Sequence, residues 1–196
     1  KIASAQGKFI RQSGGRGQFG DVTLRIEPLE AGSGLIFESE ITGATLPTEY
    51  FGPVEQGFKE AAQSGVVAGH PVVDIKAILI DGSHHEVDSS EVAFKIASSM
   101  AFKEACQKAS PFILEPVMLM EVVTPEEFLG DVLGDLQSRR AQVQSMEPQA
   151  GLQIVKAHVP LAETFQYATI LRSNTTGRAS FTQELDHYAP APIKDK

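Results

Sequence analysis

Residues 20–29, GDVTLRIEPL, alternate Val22, Leu24 and Ile26 against Thr23, Arg25 and Glu27, and this period of two predicts a strand with one solvated face. The run through Lys8, Phe9 and Ile10 reads as extended, so the glycine-rich stretch RQSGGRGQFG between these segments joins two strands. Residues 35–42, LIFESEIT, offer a third strand. Pro53 opens a helix, PVEQGFKEAAQS, because a proline at the first helical position loses no hydrogen bond there. His70-Pro71 breaks the chain before the apolar strand VVDIKAILI. Asp88 and Glu91 form a D-x-x-E helix start, and Val92, Ile96 and Met100 fall at i, i+4 and i+8 as one expected buried stripe. The first unit therefore reads β-β-β-α-β-α.

After Ser110-Pro111 and Glu115-Pro116 the pattern restarts. VMLMEVV is a strand, and Thr124-Pro125-Glu126-Glu127 supplies a cap, a first-turn proline and a capping-box glutamate for a helix reaching about Arg139. AQVQSMEP and GLQIVKAHV are strands around a turn at 148–151. LAETFQYATILRS places Leu161, Phe165, Ala168 and Leu171 at helical spacing, Thr176-Gly177 ends that helix, and RASFTQELDHY alternates as a last strand. The order β-α-β-β-α-β is ferredoxin-like, which makes a four-stranded antiparallel sheet with both helices on one face. The expected class is α+β, with two small domains at 1–114 and 115–190 and a polar, proline-bearing tail at 191–196.

Composition narrows the function classes. The chain has 196 residues, 42% hydrophobic and 21% charged, with a net charge of −8, an ordinary balance for a globular chain. No stretch approaches the ~20 apolar residues that span a bilayer, so no membrane partner is expected. The first residues, KIASAQGKFIRQ, lack the apolar region of a signal peptide, and a single cysteine, Cys106, excludes an internal disulfide. Cytosol or an organelle matrix is the expected compartment. Charge is unevenly placed: residues 1–20 hold Lys1, Lys8, Arg11 and Arg16 and no acid, whereas 21–60 hold eight acids against Arg25 and Lys59. A basic, glycine-rich end on an acidic body suits a small phosphate-facing patch.

Gly15, Gly17 and Gly20 spell G-x-G-x-x-G, but a dinucleotide fingerprint needs a helix after the loop, and here an alternating strand follows. Gly15 to Val22 also fits the kinase form G-x-G-x-x-G-x-V, yet the chain has no H-R-D or D-F-G, nor any Walker A loop. His84, His85, Glu86 and Asp88 lack partners at metal-ligand spacing, so no metal site is expected there. His70 and His158 stand singly beside strands and read as structural. Cys106 has no base nearby and reads as a small apolar residue. No catalytic constellation and no cofactor are expected in this chain.

Four stretches carry a family resemblance: GKFIRQSGGRGQFG, GSHHEVDSSEVAFKIASSMAFKEA, LEPVMLMEVVTPEEFLGDVLGDLQSRR and VPLAETFQYATILRSNTTGRASF. In unbroken order over nearly the whole chain, they resemble elongation factor G, a translational GTPase, in its last two domains, IV and V. The resemblance implies a first domain like ribosomal protein S5 and a ferredoxin-like second. It implies a parent protein whose GTP and Mg²⁺ belong to an N-terminal domain outside this chain, and a monomer whose partner is the ribosome. In the family, two tip loops of domain IV follow the transfer RNA–messenger RNA duplex leaving the A site. Here they correspond to 13–18 and 83–88, giving Ser13, Gly14, Gly15, Arg16, Gly17, Gln18, His84, His85 and Glu86 as RNA-contacting residues. His85 matches the family's tip histidine, and His84 stands where the bacterial pattern carries tyrosine. Domain V docks beside the large-subunit GTPase-associated region, for which Arg139, Arg140, Arg172 and Arg178 are the available cations. A recycling or ribosome-protection paralogue, or a free-standing RNA-binding module, would share part of this pattern.

Overall fold

The computed structural model describes residues 1–12 and 14–193. The chain divides into two compact units, Lys1–Pro111 and Phe112–Lys196. In the first, β1 (Ala3–Arg11), β2 (Gln18–Pro28), β3 (Leu35–Ser39) and a 3-10 turn Thr48–Tyr50 precede α1 (Phe51–Ser64), β4 (Ile75–Ser83) and α2 (Glu91–Lys108). The sheet runs β1-β2-β4-β3, with β3 parallel to β4 and the other pairs antiparallel. The parallel pair is the one joined through a helix, as a crossover requires. Val22, Leu24 and Ile26 of β2 are buried, so the alternation read in the sequence is the pleat of a half-buried strand. Aromatic residues fill the space between sheet and helices: Phe58 meets Phe102 edge-on at 5.1 Å and Tyr50 stacks on Phe94 at 4.3 Å.

Helix α2 buries a different face from the one the Val92–Ile96–Met100 stripe predicts. Val92 is 56% exposed and Met100 44%, while Ala93, Phe94, Ala97, Ser98, Ala101, Phe102 and Ala105 are buried. The reason is proximity. A Cβ on Gly7 would lie 2.0 Å from the Ala97 carbonyl oxygen, and one on Gly20 would lie 2.6 Å from the Ala93 carbonyl. The helix backbone rests almost on the sheet at Ala93, Ala97 and Ala101, so alanines fill the seam there, Phe94 and Phe102 are buried beside it, and Val92 and Met100 turn outward. Its cap is also not Asp88: the Ser90 side chain accepts from the Ala93 N–H at 3.1 Å from an extended backbone. Pro53 sits within the first turn of α1, two residues after its start.

The second unit contains β5 (Leu114–Pro125), a 3-10 turn Glu126–Phe128, α3 (Leu129–Ser138), β6 (Gln142–Gln149), β7 (Leu152–Pro160), a 3-10 turn Leu161–Glu163, α4 (Tyr167–Asn174) and β8 (Ser180–Pro190). Its sheet is fully antiparallel in the order β6-β7-β5-β8, the ferredoxin-like arrangement. Ala150 and Gly151, at φ 50° and 81°, make the tight hairpin turn between β6 and β7. Met120, Val122, Val155, Ala157 and Val159 form the buried sheet face beneath Val132, Leu136, Tyr167 and Leu171 of the helices.

Two expectations here are corrected. Thr124 is not a cap: it lies within β5, one residue before the strand's end at Pro125, buried, with its hydroxyl donating to the Pro125 carbonyl at 3.2 Å. The helix expected from Leu161 is interrupted, since Gln166 adopts φ 61° and α4 begins only at Tyr167. Phe165 is consequently 71% exposed and Tyr167, with Leu171, takes the core position. Within the second unit the Ala191 N–H donates to the Ile113 carbonyl at 2.9 Å and ties the segment before β5 to the end of β8.

Candidate functional site

Two loops meet at one end of the first sheet. Residues 12–17 join β1 to β2, and 84–90 follow β4, which pairs antiparallel with β2 through Asp21 and Ser83. Antiparallel pairing brings the start of β2 and the end of β4 to the same edge, which is why segments about 70 residues apart become neighbours. Asp21 secures that edge: its carboxylate accepts from Gln6 Nε2 and from Ser83 Oγ, both at 2.8 Å.

The second loop is fixed on the start of β2 by its backbone. The Phe19 N–H donates to the Asp88 carbonyl at 2.9 Å, and Phe19 forms an isolated parallel bridge with Ser89. The second loop also closes on itself: Ser89 Oγ accepts from the His85 N–H at 2.7 Å, and the Ser89 N–H donates to the His85 carbonyl at 3.0 Å. Phe19 links β1 to the second loop, its ring 6.3 Å from that of His85 and its face 5.8 Å from Lys8 Nζ. Sequence reasoning passed over Phe19; the available signal was an aromatic residue bracketed by Gly17 and Gly20.

The glycines serve two distinct ends. Gly14 (φ 55°) and Gly15 are exposed, and a Cβ on either would meet nothing within 4 Å. A Cβ on Gly17 would press the Asp88 carboxylate at 3.0 Å, and Gly20 lies against α2. Gly17 and Gly20 therefore close the fold, whereas Gly14 and Gly15 leave backbone bare at the surface. Strand β2, not a helix, follows this loop, so no helix N-terminus is available to a nucleotide phosphate there.

His85 is exposed, with Nδ1 3.7 Å from Asp88 Oδ2 and 3.4 Å from the Val87 N–H. With the Val87 N–H donating to Nδ1, Nε2 is the ring nitrogen left to carry the proton of the imidazole. His84 Nδ1 is 3.3 Å from the Thr45 carbonyl, while Arg16 and Glu86 are exposed and Gln18 is half-buried. Ser13 lies outside the described residues.

Three of the four arginines of the second unit are engaged internally. Arg139 donates to Asp135 at 2.9 Å and to the Glu163 carbonyl at 2.6 Å, and covers the Tyr167 ring at 5.0 Å. Arg140 forks onto Glu115 at 2.8 and 3.2 Å and reaches Glu163 at 3.3 Å; these carboxylates hold its guanidinium above its usual range. Arg178 pairs with Glu127 over Phe128. Arg172, exposed in the last turn of α4, has no ion-pair partner among the described residues. His158 is not solitary: Asp186 of β8 lies 3.5 Å from its Nε2, with His187 beside it.

Residues 1–110 match the family described as Elongation factor G, domain IV, and residues 112–196 match Elongation factor G C-terminus. The chain belongs to the elongation factor G family. A crystal structure of a Thermus thermophilus protein is 48% identical with a TM-score of 0.86, the likeness covering 98% of this chain and 29% of that one. The chain thus spans less than a third of the solved relative. The two loops above are those of the elongation factor G domain IV unit, and the ferredoxin-like unit is the family's C-terminal domain. No helix among the described residues is long and apolar enough to cross a membrane.

Proposed function

We propose that this chain is the ribosome-facing part of a translation elongation factor, and that the paired loops at 14–18 and 84–88 follow the transfer RNA–messenger RNA duplex during translocation. The observation that carries the reading is that bare Gly14–Gly15 backbone and the exposed His85 ring stand on two loops anchored at the same end of the sheet, where Gly17 lies against Asp88 and the Phe19 N–H donates to the Asp88 carbonyl. Backbone without Cβ admits a sugar–phosphate chain closely, and Arg16 supplies attraction for phosphate. His85 Nε2–H is a donor for a phosphate oxygen or ribose 2′-OH, the groups that shape-based RNA recognition contacts. The second unit docks at the large subunit near its GTPase-associated region, where Arg172 is the cation that needs no prior ion pair broken. Hydrolysis of GTP with Mg²⁺ belongs to another domain of the parent, and this chain positions rather than catalyses.

The test places Gly14→Asp and His85→Asp separately in the full-length parent. Negative charge at the tip repels phosphate, so single-turnover translocation should slow while ribosome-stimulated GTP hydrolysis on the same ribosomes stays near wild type. Unchanged translocation, or an equal fall in both rates, would remove the loop pair from this role.

A further inference from the structure

The second unit holds a cluster separate from the loop pair. His158 on β7 pairs with Leu119 of β5, and His187 on β8 pairs with Val117 of the same strand. Leu119 and Val117 are two residues apart, so both histidines stand on one sheet face. Met120 and Val122 occupy the opposite face, packed toward the helices. The β5–β8 ladder slips between Val117 and Met118, leaving Asp186 as the extra residue between Leu185 and His187. Without that bulge, neighbouring residues 186 and 187 would point to opposite faces; the bulge turns both to the same side. Asp186 Oδ2 then lies 2.6 Å from His187 Nδ1 and 3.5 Å from His158 Nε2. The two imidazoles are 5.2 Å apart and nearly perpendicular.

We propose that His158, Asp186 and His187 form a binding site for a divalent transition metal of the zinc class. One ligand atom from each lies within 4.8 Å of the others. Tetrahedral zinc with bonds of about 2.1 Å holds its ligands about 3.4 Å apart, so the 2.6 Å Asp186–His187 pair must open by about 0.8 Å and the widest separation, at most 4.8 Å, close by about 1.4 Å. Two imidazoles and one carboxylate suit Zn²⁺, Ni²⁺ or Cu²⁺ and discriminate against Mg²⁺ and Ca²⁺, which prefer all-oxygen shells. The side chains are 25%, 35% and 45% exposed, so the ion has an entry path and water completes its shell. All three stand on paired strands of one sheet, so the backbone is ordered before the metal arrives. A bound ion would clamp β7 to β8 across β5.

The site is tested by titrating ZnCl₂ into the chain, free of any affinity tag, by calorimetry. The expected result is one zinc per chain, with affinity weakened by at least about 10–100-fold in His158→Ala, His187→Ala and Asp186→Asn, and unchanged in the His84→Ala/His85→Ala double variant. Co²⁺ should give the visible absorption of a low-symmetry site in the wild type and lose it in Asp186→Asn. Zinc should raise the melting temperature of the wild type but not of His187→Ala. Absence of stoichiometric binding, or binding equally strong in all three ligand variants, would overturn the assignment.

Discussion

Gly7 sets how closely α2 approaches the first sheet, and Gly7→Ala measures what that closeness is worth. The added Cβ would stand 2.0 Å from the Ala97 carbonyl oxygen and 2.6 Å from the Ala101 nitrogen. A carbon–oxygen contact settles at about 3.3 Å, so the helix must retreat by about 1.3 Å. Both obstacles are backbone, and no rotamer change relieves them. Retreat would open space around Phe94, Ala97 and Phe102, all fully buried. Overpacking of this kind costs about 1–3 kcal/mol, and with no soft neighbour the upper end applies. Restricting the unfolded chain returns about 0.4–1 kcal/mol, leaving a net loss of about 2 kcal/mol. For a unit of this size that is a fall in melting temperature of roughly 8–16 °C. Amide exchange localises the effect: protection of β2 and β4 should drop about 30-fold, while β5 and β7 hold theirs. Gly134→Ala is the control, since Gly134 is exposed within α3 with nothing within 4 Å of its would-be Cβ. That change should stabilise the chain by up to about 1 kcal/mol. A Gly7→Ala variant within about 0.5 kcal/mol of wild type would mean that the helix shifts freely, and the argument from backbone contact would fail.

Two further outcomes follow from corrected or buried residues. Ser90→Ala should cost about 1 kcal/mol by removing the cap of α2, and Asp88→Ala clearly less; equal losses in chemical denaturation would return the cap to Asp88. Burial pushes the Cys106 thiol up to about 12, so at pH 8 its alkylation should run roughly a thousandfold slower in the native chain than in urea. Because the folded value is raised, this group costs no stability below about pH 8.5, and stability falls as pH climbs from there toward 12. Labelling at the unfolded rate would show Cys106 to be open to solvent.

The sequence by itself determined the element order and the class. Alternation at Val22, Leu24 and Ile26, the break at Ser110-Pro111, and the β-α-β-β-α-β succession are local or periodic signals, and strand pleat and turn chemistry translate them directly. Glycine, arginine and histidine at that density make the two loops conspicuous in one dimension, but their pairing as one candidate site came from the resemblance to elongation factor G. Which face of α2 is buried was decided only in three dimensions. Hydrophobicity favours Val92 and Met100, but the approach of Gly7 and Gly20 to within touching distance of the helix backbone excludes anything larger than alanine along most of the seam. The same holds for Gln166, whose left-handed backbone divides one apparent helix and exchanges Phe165 for Tyr167 in the core. Roles that depend on strand register stayed hidden as well. Phe19 beside His85, and Asp186 turned by a bulge toward His158, are contacts between distant segments, and a sequence fixes residue identities along a line while pairing register fixes which of them share a face.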